Sequence, residues 1–272
     1  MTSSLRRDEN NVLTIQTISI GPFRTLMTAL KDILIETNII FQQDGIRIVN
    51  MDKSHTILVY MHLEASKFEF YECKCEKIII GVNMSYLFKL INTIENEDTL
   101  TIYIDNNDYH DGIVTHLGLK FKNAKQCKTS KLKLIEPEPE ELIVPDIKFS
   151  SIINFPSSDF QKIIRDSASV SDKLEISSIG DEIHMKYEGQ FAEVDIERSE
   201  SSDDTMKVLT EKNSNKIIQG VFSLKNLGYF IKCTNLCSQI ELYLENDLPL
   251  VVKYDVPDLG YIRLATAPLP SG

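Results

Sequence analysis

Metal-ligating and acid–base groups are sparse and poorly grouped in this chain. Cys73-Lys74-Cys75 is the tightest thiol spacing, and on a strand its alternation would aim both sulfurs at one face, half of a tetrahedral zinc set. No second Cys or His pair lies near it in sequence. The thiols Cys73, Cys75, Cys127, Cys233 and Cys237 are therefore expected to be reduced and to act as small buried hydrophobes, with no metal bound. Asp105, Asp108 and Asp111 gather around His110 without the spacing or closing Glu of a calcium loop, so a solvated hairpin is the expectation. His55, His62, His110, His116 and His184 are scattered, and there is no glycine-rich phosphate loop, nucleophile elbow or zinc-protease helix motif. The chain reads as one without catalytic residues and without a cofactor, not as an enzyme.

What its side chains offer instead is charge, unevenly placed. Lys120, Lys122, Lys125, Lys128, Lys131 and Lys133 fall in one stretch with no acid, whereas Glu188, Glu193, Asp195, Glu197, Glu200, Asp203 and Asp204 face only Arg198 in another. Ala192, Val194 and Ile196 alternate with Glu193, Asp195 and Glu197, the pattern of a strand with one wet face. Complementary edges at different places on one molecule make a head-to-tail contact that closes a ring or grows a filament. The bland alternative is two solvated edges guarded by charge against aggregation. The net charge of −11 argues against indiscriminate phosphate binding only if it is evenly spread.

The elements that position these residues are mostly short strands: Thr56–Met61, Lys77–Ile80, Thr99–Ile104, Ile240–Leu244 and Leu250–Tyr254. Four amphipathic helices are expected at about Pro22–Leu34, Asn83–Ile94, Ser157–Ala168 and Ser223–Thr234. They carry seven bases (Arg24, Lys31, Lys89, Lys162, Arg165, Lys225, Lys232) against Asp32, Asp159 and Asp166, so a surface shared by all four would be basic inside an acidic shell. The fold class is α+β. No apolar run approaches the roughly 20 residues that cross a bilayer, and the start has no apolar signal core, so an intracellular protein is expected.

The chain also says nearly the same thing twice. Phe23-Arg24-Thr25-Leu26-Met27 returns 137 positions later as Phe160-Gln161-Lys162-Ile163-Ile164, and Asp44-Gly45-Ile46-Arg47-Ile48 as Asp181-Glu182-Ile183-His184-Met185. Thr99 to Asn106 returns at 140 as Gln239 to Asn246. Two similar domains at 12–134 and 150–272 are expected after a disordered leader (1–11), joined by a connector (135–149) whose Glu136-Pro137-Glu138-Pro139 reads as extended and solvated. Its apolar end, Leu142-Ile143-Val144, is expected to dock on a neighbouring surface or help form a pocket.

Together with the repeat, Ala29-Leu30-Lys31-Asp32, Met51-Asp52-Lys53-Ser54-His55, Gly81-Val82-Asn83-Met84, Asn96-Glu97-Asp98, Phe155-Pro156-Ser157-Ser158-Asp159-Phe160, Ile164-Arg165-Asp166, Asp247-Leu248-Pro249-Leu250 and Ala267-Pro268 resemble the proliferating cell nuclear antigen (PCNA) family of sliding clamps, from about Val12 to Pro268. The resemblance implies a clamp fold in a homotrimeric ring, helices lining a channel around double-stranded DNA and sheets outside. It implies sequence-independent contacts from Arg24, Lys31, Lys89, Lys162, Arg165, Lys225 and Lys232. The subunit joint would set the strand around Lys125 to Leu134 (Lys125, Lys128, Lys131, Lys133) against the one around Gly189 to Ser199 (Glu193, Asp195, Glu197). A pocket of Met51, His55, Leu58, Leu142, Val144, Pro249, Ala267 and Pro268 would receive short peptides from DNA polymerase, clamp loader, nuclease and ligase. Replication and repair in the nucleus, or in a viral replication compartment, is the implied setting.

Departures from the family pattern are Ala265 for a pocket aromatic, Ser130 for an aromatic in the basic strand, Gly180 for a modified lysine, and Thr25, Asn92 and Ser169 at positions basic in relatives. A subunit of a heteromeric checkpoint-type clamp and a monomeric processivity factor are the alternatives. The self-complementary strands favour a homo-ring over the first, and the modest basic excess on the helices disfavours the second.

Overall fold

The computed structural model describes residues 10–95, 97–139, 142–200, 206–210 and 217–270; nearly all of the expected leader, together with Asn96, Glu140, Glu141, Asp203 and Asp204, lies outside them. Among the described residues no helix is long and apolar enough to cross a membrane.

The four helices form where the apolar spacing puts them. α1 (Ile20–Ile33) buries Phe23, Leu26, Met27, Leu30 and Ile33 along one stripe, and Pro22 fits in its first turn, where backbone N–H groups have no helical partner. α2 (Met84–Ile91) is capped by the Asn83 side chain, which accepts the Tyr86 N–H, and it stops short of the expected Ile94. α3 (Ser157–Ala168) fills its expected span and buries Phe160, Ile163 and Ile164. α4 (Leu224–Phe230) is shorter than expected: Ile231–Leu236 tightens into a 3-10 turn, in which the Thr234 hydroxyl donates to the Ile231 carbonyl at 2.8 Å.

All named strand pairs are antiparallel, and each half contributes two four-stranded blocks. In the first half these are Asn11–Thr17, Thr99–Asp105, His116–Lys122 and Cys127–Lys133, and then Glu36–Gln42, Gly45–Met51, Ile57–Glu64 and Lys77–Asn83. Their counterparts in the second half are Ser151–Pro156, Gln239–Leu244, Leu250–Val256 and Gly260–Thr266, and then Lys173–Ile179, Glu182–Glu188, Glu193–Ser199 and Ile218–Ser223. The halves are joined edge to edge: Gly260–Thr266 pairs with Ile57–Glu64 from Gly260↔Leu63 to Thr266↔Ile57, fusing one block of each half, with the short strand Lys207–Val208 beside Ser151–Pro156, into a single nine-stranded sheet. Helices cover one side of the sheets, and the buried Leu, Ile and Phe side chains of both layers form one continuous core.

The connector departs from its solvated expectation at its start. Ile135 bridges to Gly81, and Asn38 exchanges two hydrogen bonds with the Glu138 backbone at 2.8 and 2.9 Å. Gly81 is required there, because a Cβ would stand 2.7 Å from the Ile135 carbonyl oxygen and 2.8 Å from that of Glu136. The cysteines also depart. Cys75 lies past the end of strand Phe70–Cys73, so the two sulfurs do not share a strand face, and Cys73 Sγ instead meets the Cys75 carbonyl at 3.3 Å. Cys73 and Cys233 are buried as expected, Cys75 and Cys237 only partly, and Cys127 is exposed on an edge strand. The Asp105–Asp111 stretch is not simply solvated either: Asp108 accepts from Lys131 at 2.6 Å and lies 3.1 Å from His116 Nδ1.

Candidate functional site

The helices pack in the spatial order α2, α1, α4 with its 3-10 extension, then α3, so their polar sides share one face. On it Lys89, Lys162, Arg165, Lys225 and Lys232 are exposed. Arg24 and Lys31, expected alongside them, are turned partly inward. The Arg24 guanidinium donates to the Ile94 carbonyl at the end of the α2 segment, and Lys31 bonds Asp32 at 2.7 Å while lying 4.8 Å from the Phe88 ring. Lys232 stands 3.8 Å from the same Asp32, which ties the helices of the two halves together. Such a face offers exposed positive charge, the chemistry that phosphate contact needs.

On the sheet side a cavity of about 360 Å³ opens between the connector and the second half's sheet. Of the expected pocket residues, Leu58, Val144 and Pro249 line it; Met51, His55, Leu142, Ala267 and Pro268 do not. Leu142 and Ile143 are exposed, the latter by 92%, so of the connector's apolar end only Val144 helps form the pocket as expected. The wall is made further along by Pro145, Asp146, Ile147 and Phe149, and across the cavity by Tyr60, Tyr243, Val251, Arg263 and Ala265. These are outward positions of paired strands: Leu58 lies opposite Ala265 and Tyr60 opposite Arg263. Sequence reasoning missed Tyr60, Tyr243 and Arg263 because only the register brings them together; the alternation of each strand was the available signal.

The aromatic wall is electrostatically set. Burial, reinforced by a hydrogen bond to Glu241, pushes the Tyr243 hydroxyl up to about 12. Burial works against ionisation of Glu241, yet the Tyr243 and Lys253 hydrogen bonds hold its carboxyl below the ordinary range. Phe149 meets Tyr243 edge-on at 5.4 Å, fixing the connector against this wall.

Two edge strands carry the opposite charges noted above. Cys127–Lys133 borders the sheet that Phe70–Cys73 extends to five strands by pairing with Asn11–Thr17, and Glu193–Ser199 borders the four-stranded one. Both are shorter than expected: Lys125 sits in the turn before the first, its N–H bonded to Asn123 Oδ1, and Gly189 sits in the turn before the second. Lys128, Lys131 and Lys133 are exposed, as are Glu193, Asp195 and Glu197, while Val194 and Ile196 are half-covered. Lys131 already bonds Asp108, and Lys186 pairs with Asp195 at 3.1 Å. The one group among the described residues with metal-ligand geometry is Glu182, His184 and Glu197, whose ligand atoms lie within 4.8 Å of one another. His184 makes ordinary acid contacts there, 3.6 Å to Glu182 and 4.0 Å to Asp195.

Residues 13–141 match the family model for the proliferating cell nuclear antigen N-terminal domain, and residues 143–269 that for its C-terminal domain. A probable DNA polymerase sliding clamp 1 of Paramecium bursaria Chlorella virus 1 is 30% identical over 266 residues, covering 97% of this chain and 99% of the viral protein. The crystal structure of proliferating cellular nuclear antigen from Entamoeba histolytica superposes with a TM-score of 0.83 over 96% of this chain and 100% of that one, at 21% identity, a likeness of fold. With both domain models matched in order and a full-length relative alongside, the chain belongs to the proliferating cell nuclear antigen family.

Proposed function

We propose that this protein is a DNA sliding clamp: three copies close head to tail into a ring around duplex DNA, tether a polymerase for processive synthesis, and dock replication and repair proteins by short peptides. The observation that carries the reading is the joint between the halves. Within the chain, Gly260–Thr266 closes on Ile57–Glu64. Their repeat counterparts, Cys127–Lys133 and Glu193–Ser199, are the two charged strands left open at sheet edges. An open pair equivalent to a closed pair is a joint awaiting another copy, and leaving it open would invite uncontrolled edge pairing.

The internal joint also supplies the register. Ala265 opposes Leu58, Arg263 opposes Tyr60 and Tyr261 opposes His62. Carried through the matching ladders of the two halves, the same alignment sets Lys131 against Glu193, Thr129 against Asp195 and Cys127 against Glu197 of the next copy. On the inner side Ser130 would meet Val194. Ring closure would put the helix face, with Lys89, Lys162, Arg165, Lys225 and Lys232, toward the DNA as diffuse charge that permits sliding. No step of this function requires bond chemistry.

The test is topological. The clamp is allowed to thread onto linear duplex, both ends are then blocked with a bulky bound protein, and the unbound fraction is washed away in salt. Retention on blocked DNA with loss from open-ended DNA is the expected result. Equal retention on both would mean binding by charge alone, the behaviour of a monomeric processivity factor, and would overturn the reading.

A further inference from the structure

The pocket wall holds a guanidinium whose charge is felt by Glu241 but which makes no ion pair of its own among the described residues. Arg263 stands on its wall, sandwiched between aromatic faces at 5.0 Å from the Tyr261 ring centroid and 5.8 Å from that of Tyr243. Directly opposite it in the ladder is Lys253, a like charge at the closest cross-strand position. Lys253 takes the nearby carboxylates, Glu241 at 2.9 Å and Asp255 at 3.4 Å. Among the described residues none is left at ion-pair distance from the Arg263 guanidinium.

Two further features make that guanidinium reachable. Ala265, two residues along the same outward face, is small and lines the cavity beside it, so no side chain covers it from that direction. The opposite, connector wall carries the exposed Asp146, which repels an anion toward the strand side. A planar guanidinium fixed on aromatic faces keeps its N–H fork ready for a carboxylate and loses little rotamer freedom when it binds one.

We propose that Arg263 is a specificity-determining residue of the pocket, and that the peptides docking there carry an aspartate or glutamate next to their apolar anchors. This rests on the reading of the pocket as a peptide-docking site. The incoming carboxylate finds a donor that is already oriented and not committed to an ion pair, while the apolar anchors fill the space bounded by Leu58, Val144 and Pro249.

The test is calorimetric titration of the full chain with synthetic peptides bearing aliphatic and aromatic anchors to match the Leu58, Val144, Tyr60 and Tyr243 lining, a single Asp being walked through the neighbouring positions and each compared with its Asn twin. At one position Asp binds roughly five- to tenfold tighter than Asn, and in Arg263→Gln that ratio falls to about one, whatever the absolute affinity of the Asn peptide. The preference also shrinks as salt rises. Asn peptides that bind with no Asp preference at any position overturn this inference and leave the docking site standing, as does a preference that survives in Arg263→Gln. Failure of every peptide to bind overturns the docking site itself and the inference with it.

Discussion

Asp108 shows how a side chain that looked solvated in the sequence becomes structural. The hydrogen bond from Lys131, assisted by its charge and by His116, holds the Asp108 carboxyl below the ordinary carboxylate range. A carboxylate depressed in the folded state contributes stability above its unfolded pKa, about 4, and loses it as pH falls through the folded value. Asp108→Asn is therefore expected to melt below the parent at pH 7 and to converge with it in acid, a difference that melting curves across pH would expose. Equal displacement at every pH would assign the effect to something other than this ion pair. The same pairing explains what sequence could not give: Lys131 was legible as one of six clustered lysines, but its tie to an acid 23 residues away depends on the ladder between strands His116–Lys122 and Cys127–Lys133. Arg24 is a similar case, since it reaches the Ile94 backbone carbonyl, a partner that no pattern of side chains could name.

At the level of elements, periodicity located the helices because their buried stripes are local, and α3 fills its expected span. What periodicity missed depends on contacts between elements. The 3-10 tail of α4 packs against α1 and α3, while the anchored start of the connector and the pocket wall arise where separate strands meet. Gly81 is a direct probe of the connector. Gly81→Ala would push a methyl into the Ile135 and Glu136 carbonyls, a backbone contact that cannot yield cheaply, and overpacking of this kind costs about 1–3 kcal/mol. Faster hydrogen exchange at the Ile135 and Glu138 amides, with the sheets unchanged, is the expected signature. Ser130 probes the joint. Its repeat counterpart Leu264 is fully buried opposite Val59. Ser130→Leu should therefore bury a leucine against Val194 of the next copy, worth about 1.5–3 kcal/mol per joint. By dilution light scattering the variant should dissociate at concentrations at least about tenfold lower than the parent. An unchanged midpoint would place Ser130 outside the joint.

For the whole molecule, duplication was the most legible feature, and the structure gives it a mechanical meaning. Two similar halves make one closed joint and leave one equivalent pair of edges open, so the difference in charge between the copies matters as much as their likeness. The chain as a whole is acidic at −11, yet its helix face presents exposed lysines and arginine. Encirclement with diffuse charge predicts a specific division of labour. Reversing two exposed helix charges, Lys162→Glu with Lys225→Glu, should lower the salt slope of DNA binding by about two and leave the mass in solution unchanged. A loss of assembly on that change would contradict the assignment of these residues to the channel face. The central claim is that this chain closes on itself in threes, and its mass in solution at micromolar concentration tests that most directly. The account predicts about 93 kDa, three times the 31.0 kDa chain. A single 31.0 kDa species would contradict it.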